Sequence, residues 1–146
     1  MKRTFTLIAI VALTLVAAAQ QKSFVPVTDK MLQNPSPDDW LMYSRTYDAQ
    51  RFSPLNQINR QNVSGLKQAF VHEMGTGNIE GIPIVYRGVM YMITPGAAVR
   101  AIDATNGNMV WEHKRPSGSS RAKTLAIYED MVYYTSPDGF IVALDA

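Results

Sequence analysis

Three residues of this 146-residue chain have types and spacing that could hold a charged ligand: Glu80 in GNIEGIP, and Arg121 and Lys123 in SSRAKT. An offset of 42 residues brings Glu80 onto Ala122 and Gly81 onto Lys123, so the acid and the cations fall at corresponding places of two copies of a repeat. If SSRAKT is extended, Arg121 and Lys123 lie on the same side, because side chains alternate along a strand. Arg offers an anionic group a planar fork of donors, and Lys a compact point charge. A ligand bridging two neighbouring repeats needs this arrangement. The competing reading for each residue is a solvated surface charge.

Other chemistries have less support. The chain has no Cys, which removes disulfides, thiolate metal sites, attached c-type haem within this segment and a lipid anchor on an N-terminal Cys. His72 and His113 have no nearby cluster of metal-ligating residues and read as surface or packing residues. Gly75-Thr76-Gly77 lacks the third glycine and the following helix of a nucleotide loop, so it reads as a turn. No catalytic base and no metal ligand set is assigned within these residues.

A hydrophobic content of 47% with 18% charged residues is that of a globular protein. Lys2 and Arg3 precede an apolar run that ends in Ala17-Ala18-Ala19, the pattern of a secretory signal with an A-x-A cleavage step. Residues 1–19 are therefore expected to be removed on export, leaving no membrane span in the mature chain. Loss of the two N-terminal cations leaves 12 basic and 12 acidic residues. That balance, without a basic cluster, excludes a nucleic-acid or anionic-membrane footprint.

The elements that must position Glu80 and Lys123 come from the repeat. Tyr86 to Ala104 align without a gap on Tyr128 to Ala146, with identities at Tyr86/Tyr128, Tyr91/Tyr133, Pro95/Pro137, Ala101/Ala143, Asp103/Asp145 and Ala104/Ala146. A period of this size is that of propeller blades of four strands. IPIVYRG, VMYMIT, AVRAID and NMVWEHK are β-rich runs separated by Arg87-Gly88, Pro95-Gly96 and Asn106-Gly107. Trp111 then falls on the outermost strand, where an indole can cover the edge between blades. The expected fold is all-β: an incomplete β-propeller over residues 62–146, comprising a first blade and most of a second, preceded by an irregular N-terminal wrap over 20–61. LKQAFVHEM, residues 66–74, has β character and is the expected strand for completing the last blade of a closed ring, with partners beyond residue 146. The second blade stops after its third strand, so the chain reads as a piece of a longer ring.

DDWLMYSRTYDAQRFSPLNQINRQNVSGLKQAF, followed by GNIEGIPIVYRGVMYMITP and AIDATNGNMVWEH, resembles the N-terminal portion of pyrroloquinoline-quinone (PQQ)-dependent alcohol dehydrogenases of the methanol/ethanol type. The resemblance implies an eight-bladed periplasmic propeller that oxidises an alcohol or polyol. It also implies PQQ near the axis, a Ca²⁺ or lanthanide ion beside it, an Asp base, and an electron acceptor such as a cytochrome c. The metal ligands and base would lie in later blades, so the 146-residue chain alone is expected to be inactive. Glu80-Gly81-Ile82-Pro83 matches the family's E-G-x-P motif, whose Glu contacts the quinone. Lys123 falls where the family has a quinone-binding Arg, with Arg121 two residues earlier. Ser119-Ser120 stands where many relatives carry adjacent cysteines. The rival reading is a non-catalytic periplasmic propeller related to outer-membrane assembly scaffolds, against which Glu80 and the long N-terminal signature count.

Overall fold

A computed structural model describes residues 24–114, 123–136 and 138–146. Two antiparallel sheets dominate it. The first comprises β1 (Ile84–Tyr86), β2 (Val89–Thr94), β3 (Ala98–Asp103) and β4 (Met109–His113), hydrogen-bonded in chain order. The second comprises β5 (Leu125–Tyr128), β6 (Met131–Thr135) and β7 (Ile141–Asp145), also in chain order. These are four-stranded and three-stranded blade meanders, so the all-β, partial-propeller expectation holds, and the strands fall on the runs read from the sequence.

The repeat recurs as local chemistry. Arg87 and Glu129, one repeat apart, both turn the chain with positive φ, at 49° and 51°. Thr94 Oγ1 donates to the carbonyl of Ala98, and Ser136 Oγ, its counterpart, donates to that of Phe140. The Ala104 amide donates to Gly88 O at 2.8 Å, and the Ala146 amide to Asp130 O at 2.9 Å. The hydroxyl at Thr94 and Ser136 and the Ala at 104 and 146 persist at equivalent turns, whereas Arg87 and Glu129 share only their backbone conformation. Asp103 organises the β3–β4 turn: its carboxylate accepts from the Thr105 hydroxyl at 2.6 Å, the Thr105 amide at 2.8 Å and Asn106 Nδ2 at 2.9 Å. The Thr105 hydroxyl, above all, holds that carboxyl below the usual Asp range. Of the Asn106-Gly107 pair, only Gly107 has a positive φ, 78°.

The sheets stack face to face. Ile84, Tyr86, Tyr91, Ile93, Val99 and Ala101 of the first pack with Leu125, Ile127, Val132 and Tyr134 of the second in one buried cluster. Trp111 lies 5.9 Å from the Tyr91 ring, and His113 meets Tyr134 edge-on at 6.3 Å, so this histidine packs between blades. On the far side of the second sheet, Tyr128 is 38% exposed, although its counterpart Tyr86 is buried beneath that sheet.

The N-terminal stretch is less irregular than its composition suggests. It carries a short helix, α1 (Asp29–Gln33), whose N-cap Thr28 accepts from the Met31 amide. Val27 makes a bridge with Glu129, and Trp40 makes one with Val85 of β1. Val27 and Leu41 are each 1% exposed and join the core, with Phe24, Met31 and Leu32 packed against it. Tyr86 OH donates to Val25 O at 2.8 Å, and Phe24 packs edge-on against the same ring.

LKQAFVHEM forms no strand, and no strand pairs with it among the described residues. Its side chains still alternate: Phe70, His72 and Met74 are half-buried, whereas Val71 and Glu73 are exposed. The segment runs along the first sheet, where Arg100 Nη1 donates to Glu73 O at 2.7 Å and His72 Nδ1 sits 2.9 Å from Gly107 O. Arg100 also pairs with Glu112 of β4 at 2.6 Å. β character without a partner gives an extended chain that is only half a strand.

Candidate functional site

Antiparallel meanders sort their connections by end. The chain enters β1 and β5 at the same end as the β2–β3 turn, while the β1–β2 and β3–β4 turns lie at the other. Glu80 precedes β1 and Lys123 precedes β5, so both occupy the first end. The N-terminal stretch engages the second, where Asp39 accepts from the Arg87 amide at 2.9 Å and Val27 pairs with Glu129.

The loop leading to β1 is pressed onto its end of the sheet by glycines. Gly75 and Gly77 have positive φ, and a Cβ on Gly77 would stand 2.9 Å from Cβ of Pro95 in the β2–β3 turn. This is the turn expected of Gly75-Thr76-Gly77. Gly81 follows, and a Cβ there would lie 3.6 Å from both Ile93 Cβ and Lys123 O. The backbone of the first blade's entry thus runs beside that of the second.

That approach brings the charges together. Lys123 Nζ forms an ion pair with Glu80 Oε2, and each side chain is 60% exposed. An acid from one blade and a cation from the next therefore meet at one accessible point. Arg121, with Ser119 and Ser120, lies outside the described residues, as does the expected signal segment 1–19. The 42-residue register predicts neighbouring places for Glu80 and Lys123 but not contact between them. The one-residue excess of their separation over the repeat was the available clue, since it sets Lys123 opposite Gly81, next to the acid.

The donor set fits PQQ. Its carboxylates are complementary to an exposed ammonium, and a neighbouring carboxylate can accept from a ring N–H. Among the described residues, no group of three His, Asp or Glu side chains is arranged to hold a metal ion. Open grooves of about 490 and 370 Å³ occur at the opposite end, against Asp29, Tyr128 and Glu129 and against Asp39, Tyr86 and Arg87, away from the ion pair.

Residues 40–146 match the PQQ family described as the glucose/ethanol/alcohol dehydrogenase β-propeller domain. The chain belongs to this family. Within it, the chain is 36% identical over 141 residues to the dehydrogenase subunit of the quinone alcohol dehydrogenase of Gluconobacter oxydans, covering 90% of this chain and 18% of that protein. It is 34% identical over 158 residues to the 1-butanol dehydrogenase (quinone) of Thauera butanivorans, covering 98% of this chain and 25% of the relative. Among solved structures, the quinohaemoprotein alcohol dehydrogenase ADHIIG of Pseudomonas putida HK5 superposes with a TM-score of 0.78 at 32% identity, covering 85% of this chain and 20% of that one. A europium-containing methanol dehydrogenase superposes with a TM-score of 0.67 at 30% identity, covering 80% and 22%. The PQQ-family chain thus spans about a quarter or less of the relatives it matches.

Proposed function

We infer that this chain supplies the opening blades of an exported, periplasmic PQQ-dependent dehydrogenase that oxidises an alcohol or polyol. The observation carrying this reading is the meeting of Glu80 and Lys123 at one end of adjacent blades in a chain of this family. The matched relatives are named as quinone alcohol dehydrogenases, which supports the substrate class. Several are named quinohaemoproteins, which supports a c-type cytochrome or haem domain as the electron acceptor. The europium-containing neighbour supports a metal ion, Ca²⁺ or a lanthanide, held by blades other than these.

The bound quinone supplies the two-electron acceptor for alcohol oxidation. The chain's own residues bind and orient it. Lys123, with Arg121 beside it in sequence, neutralises carboxylate charge. Glu80 would accept a hydrogen bond from the ring N–H and so help to orient it. Rigid sheets beneath both side chains keep that geometry from drifting.

The test uses the complete protein that contains this sequence, prepared without quinone and titrated with PQQ in the presence of Ca²⁺. Glu80→Gln keeps the side-chain shape but loses one charge-assisted hydrogen bond, worth about 1.5–3 kcal/mol, so PQQ affinity should fall roughly tenfold to over a hundredfold. Alcohol-dependent dye reduction should appear only in the loaded parent. A complete protein that neither binds PQQ nor reduces dye with any alcohol overturns the enzyme reading and leaves the scaffold.

A further inference from the structure

We propose that Asn106-Gly107 is a latent deamidation site that the Asp103 turn holds shut, by fixing both the side-chain amide of Asn106 and the main-chain nitrogen of Gly107 that would attack it. The proposal goes beyond the function inferred above and does not rest on it.

Asn106-Gly107 is the only Asn-Gly pair in the 146 residues. Glycine after Asn leaves the following nitrogen unshielded, because it has no Cβ and its backbone rotates freely. In deamidation the Gly107 nitrogen loses its proton to solvent base and bonds to Asn106 Cγ. The Cγ–Nδ2 bond breaks and ammonia leaves, closing a succinimide ring. Water then opens the ring at either carbonyl, giving Asp or an isoaspartate whose main chain is one carbon longer. Water is the only co-reactant.

In the turn both reacting groups are engaged. Asn106 Nδ2 donates to Asp103 Oδ2 at 2.9 Å, and Asn106 Oδ1 accepts from the Asn108 amide at 2.8 Å, so the side-chain amide is held at both ends. The Gly107 amide donates to Asp103 O at 2.8 Å, which keeps its proton in place and fixes the peptide plane. His72 Nδ1, 2.9 Å from Gly107 O, and Phe70, which fills the space beside Gly107, resist rotation of that plane. The Asn108 amide would stabilise charge gathering on Oδ1 during attack, so the carbonyl is primed and geometry is what restrains it. The Thr105 hydroxyl, above all, holds the Asp103 carboxyl below the usual Asp range, so this acceptor keeps its charge. The three hydrogen bonds at Asn106 and Gly107 lie within residues 103–108, so the restraint does not depend on the rest of the ring.

Reaction would undo the turn. A carboxylate at position 106 has no proton to offer Asp103 and repels it, and the longer main chain of isoaspartate shifts the Ile102–Met109 pairing that leads to Trp111.

The test incubates the complete protein that contains this sequence in mildly alkaline buffer, folded or unfolded in guanidinium. Deamidation and isoaspartate at position 106 are followed by peptide mass spectrometry. The folded parent should react at least about tenfold more slowly than the unfolded parent, because three hydrogen bonds must open first. Asp103→Asn keeps the side-chain shape and an acceptor for Thr105, but it replaces the oxygen facing Asn106 with a donor. Folded Asp103→Asn should react about 2- to 12-fold faster than the folded parent, with unfolded rates equal. Thr105→Val loosens the turn but leaves Asp103 Oδ2 in place, and should accelerate less.

Equal folded and unfolded rates in the parent overturn the proposal, as does Asp103→Asn reacting no faster than the parent. Equal acceleration by Thr105→Val and Asp103→Asn means that general loosening of the turn controls the rate, and also overturns it. If Asp103→Asn loses the parent's circular dichroism, hydrogen exchange at the Gly107 amide of the folded parent decides instead. That amide should be protected, and exchange at the unfolded-chain rate overturns the proposal.

Discussion

Gly107 separates two costs that usually come mixed. Its φ of 78° lies in the left-handed region, and a Cβ there would stand 2.8 Å from Phe70 Cγ and 3.0 Å from Cε2. Gly88, in the β1–β2 turn, has a similar φ of 85° but nothing within 4 Å of the same position. Gly88→Ala should therefore show the backbone cost alone, about 1–2 kcal/mol for an L-residue held left-handed. Gly107→Ala adds the displacement of a half-buried ring, about 1–3 kcal/mol for overpacking, for a total of about 2–5 kcal/mol. Urea unfolding followed by tryptophan fluorescence measures both. Phe70→Ala should abolish the excess, so that in its background the two glycine substitutions cost the same. If Gly107→Ala is no worse than Gly88→Ala with Phe70 present, then Phe70 does not pack on the turn, and the placement of the 66–74 segment is wrong.

Tyr86→Phe removes the hydroxyl that donates to Val25 O, and should lower stability by about 0.5–1.5 kcal/mol in the same assay. Burial, with a smaller contribution from Tyr86, pushes the Tyr91 phenol up to about 12 from its ordinary 10.0. Because the folded value lies above the unfolded one, the neutral phenol's stabilisation is complete below pH 10 and is lost as pH rises toward 12. Urea midpoints should therefore fall across that window, and Tyr91→Phe should flatten the fall; a native phenol titrating near pH 10 by ultraviolet absorbance refutes it. The 146-residue chain alone should give no alcohol-dependent dye reduction with PQQ and Ca²⁺, and measurable turnover would place the base and metal ligands within these blades.

The blades were legible because β-rich runs recur at a fixed period, and because each turn demands particular residues. Arg87-Gly88 and Pro95-Gly96 interrupt VMYMIT at the ends where β2 stops. The repeat then carried that reading into the second sheet. The N-terminal stretch was less readable. Its helix spans five residues, too short for a 3.6-residue period to stand out, and its core contributors Val27 and Leu41 sit in short apolar runs, FVPV and WLMY, whose pattern does not say which member is buried. Their burial depends on surfaces distant in sequence. LKQAFVHEM shows the opposite case, with β character but no strand paired with it among the described residues. Glu80 and Lys123 could be assigned to corresponding ends of adjacent blades, but contact between them depends on the two blade entries running side by side, and spacing alone does not report that.

The two bridges of the N-terminal stretch run in reverse order, because Val27 reaches the second sheet while Trp40, later in the chain, reaches the first. Of the two bridging residues, the earlier in the chain thus has the more distant destination. Closing such a loop costs entropy that only finished sheets can offset, and such non-local contacts slow folding. During synthesis, the stretch around Val27 emerges well before the Glu129 turn exists to receive it. It must wait unpaired while these two sheets assemble behind it, and it docks only after the second has formed its Glu129 turn. Slowing the formation of the second sheet should therefore prolong the exposure of residues far upstream of it.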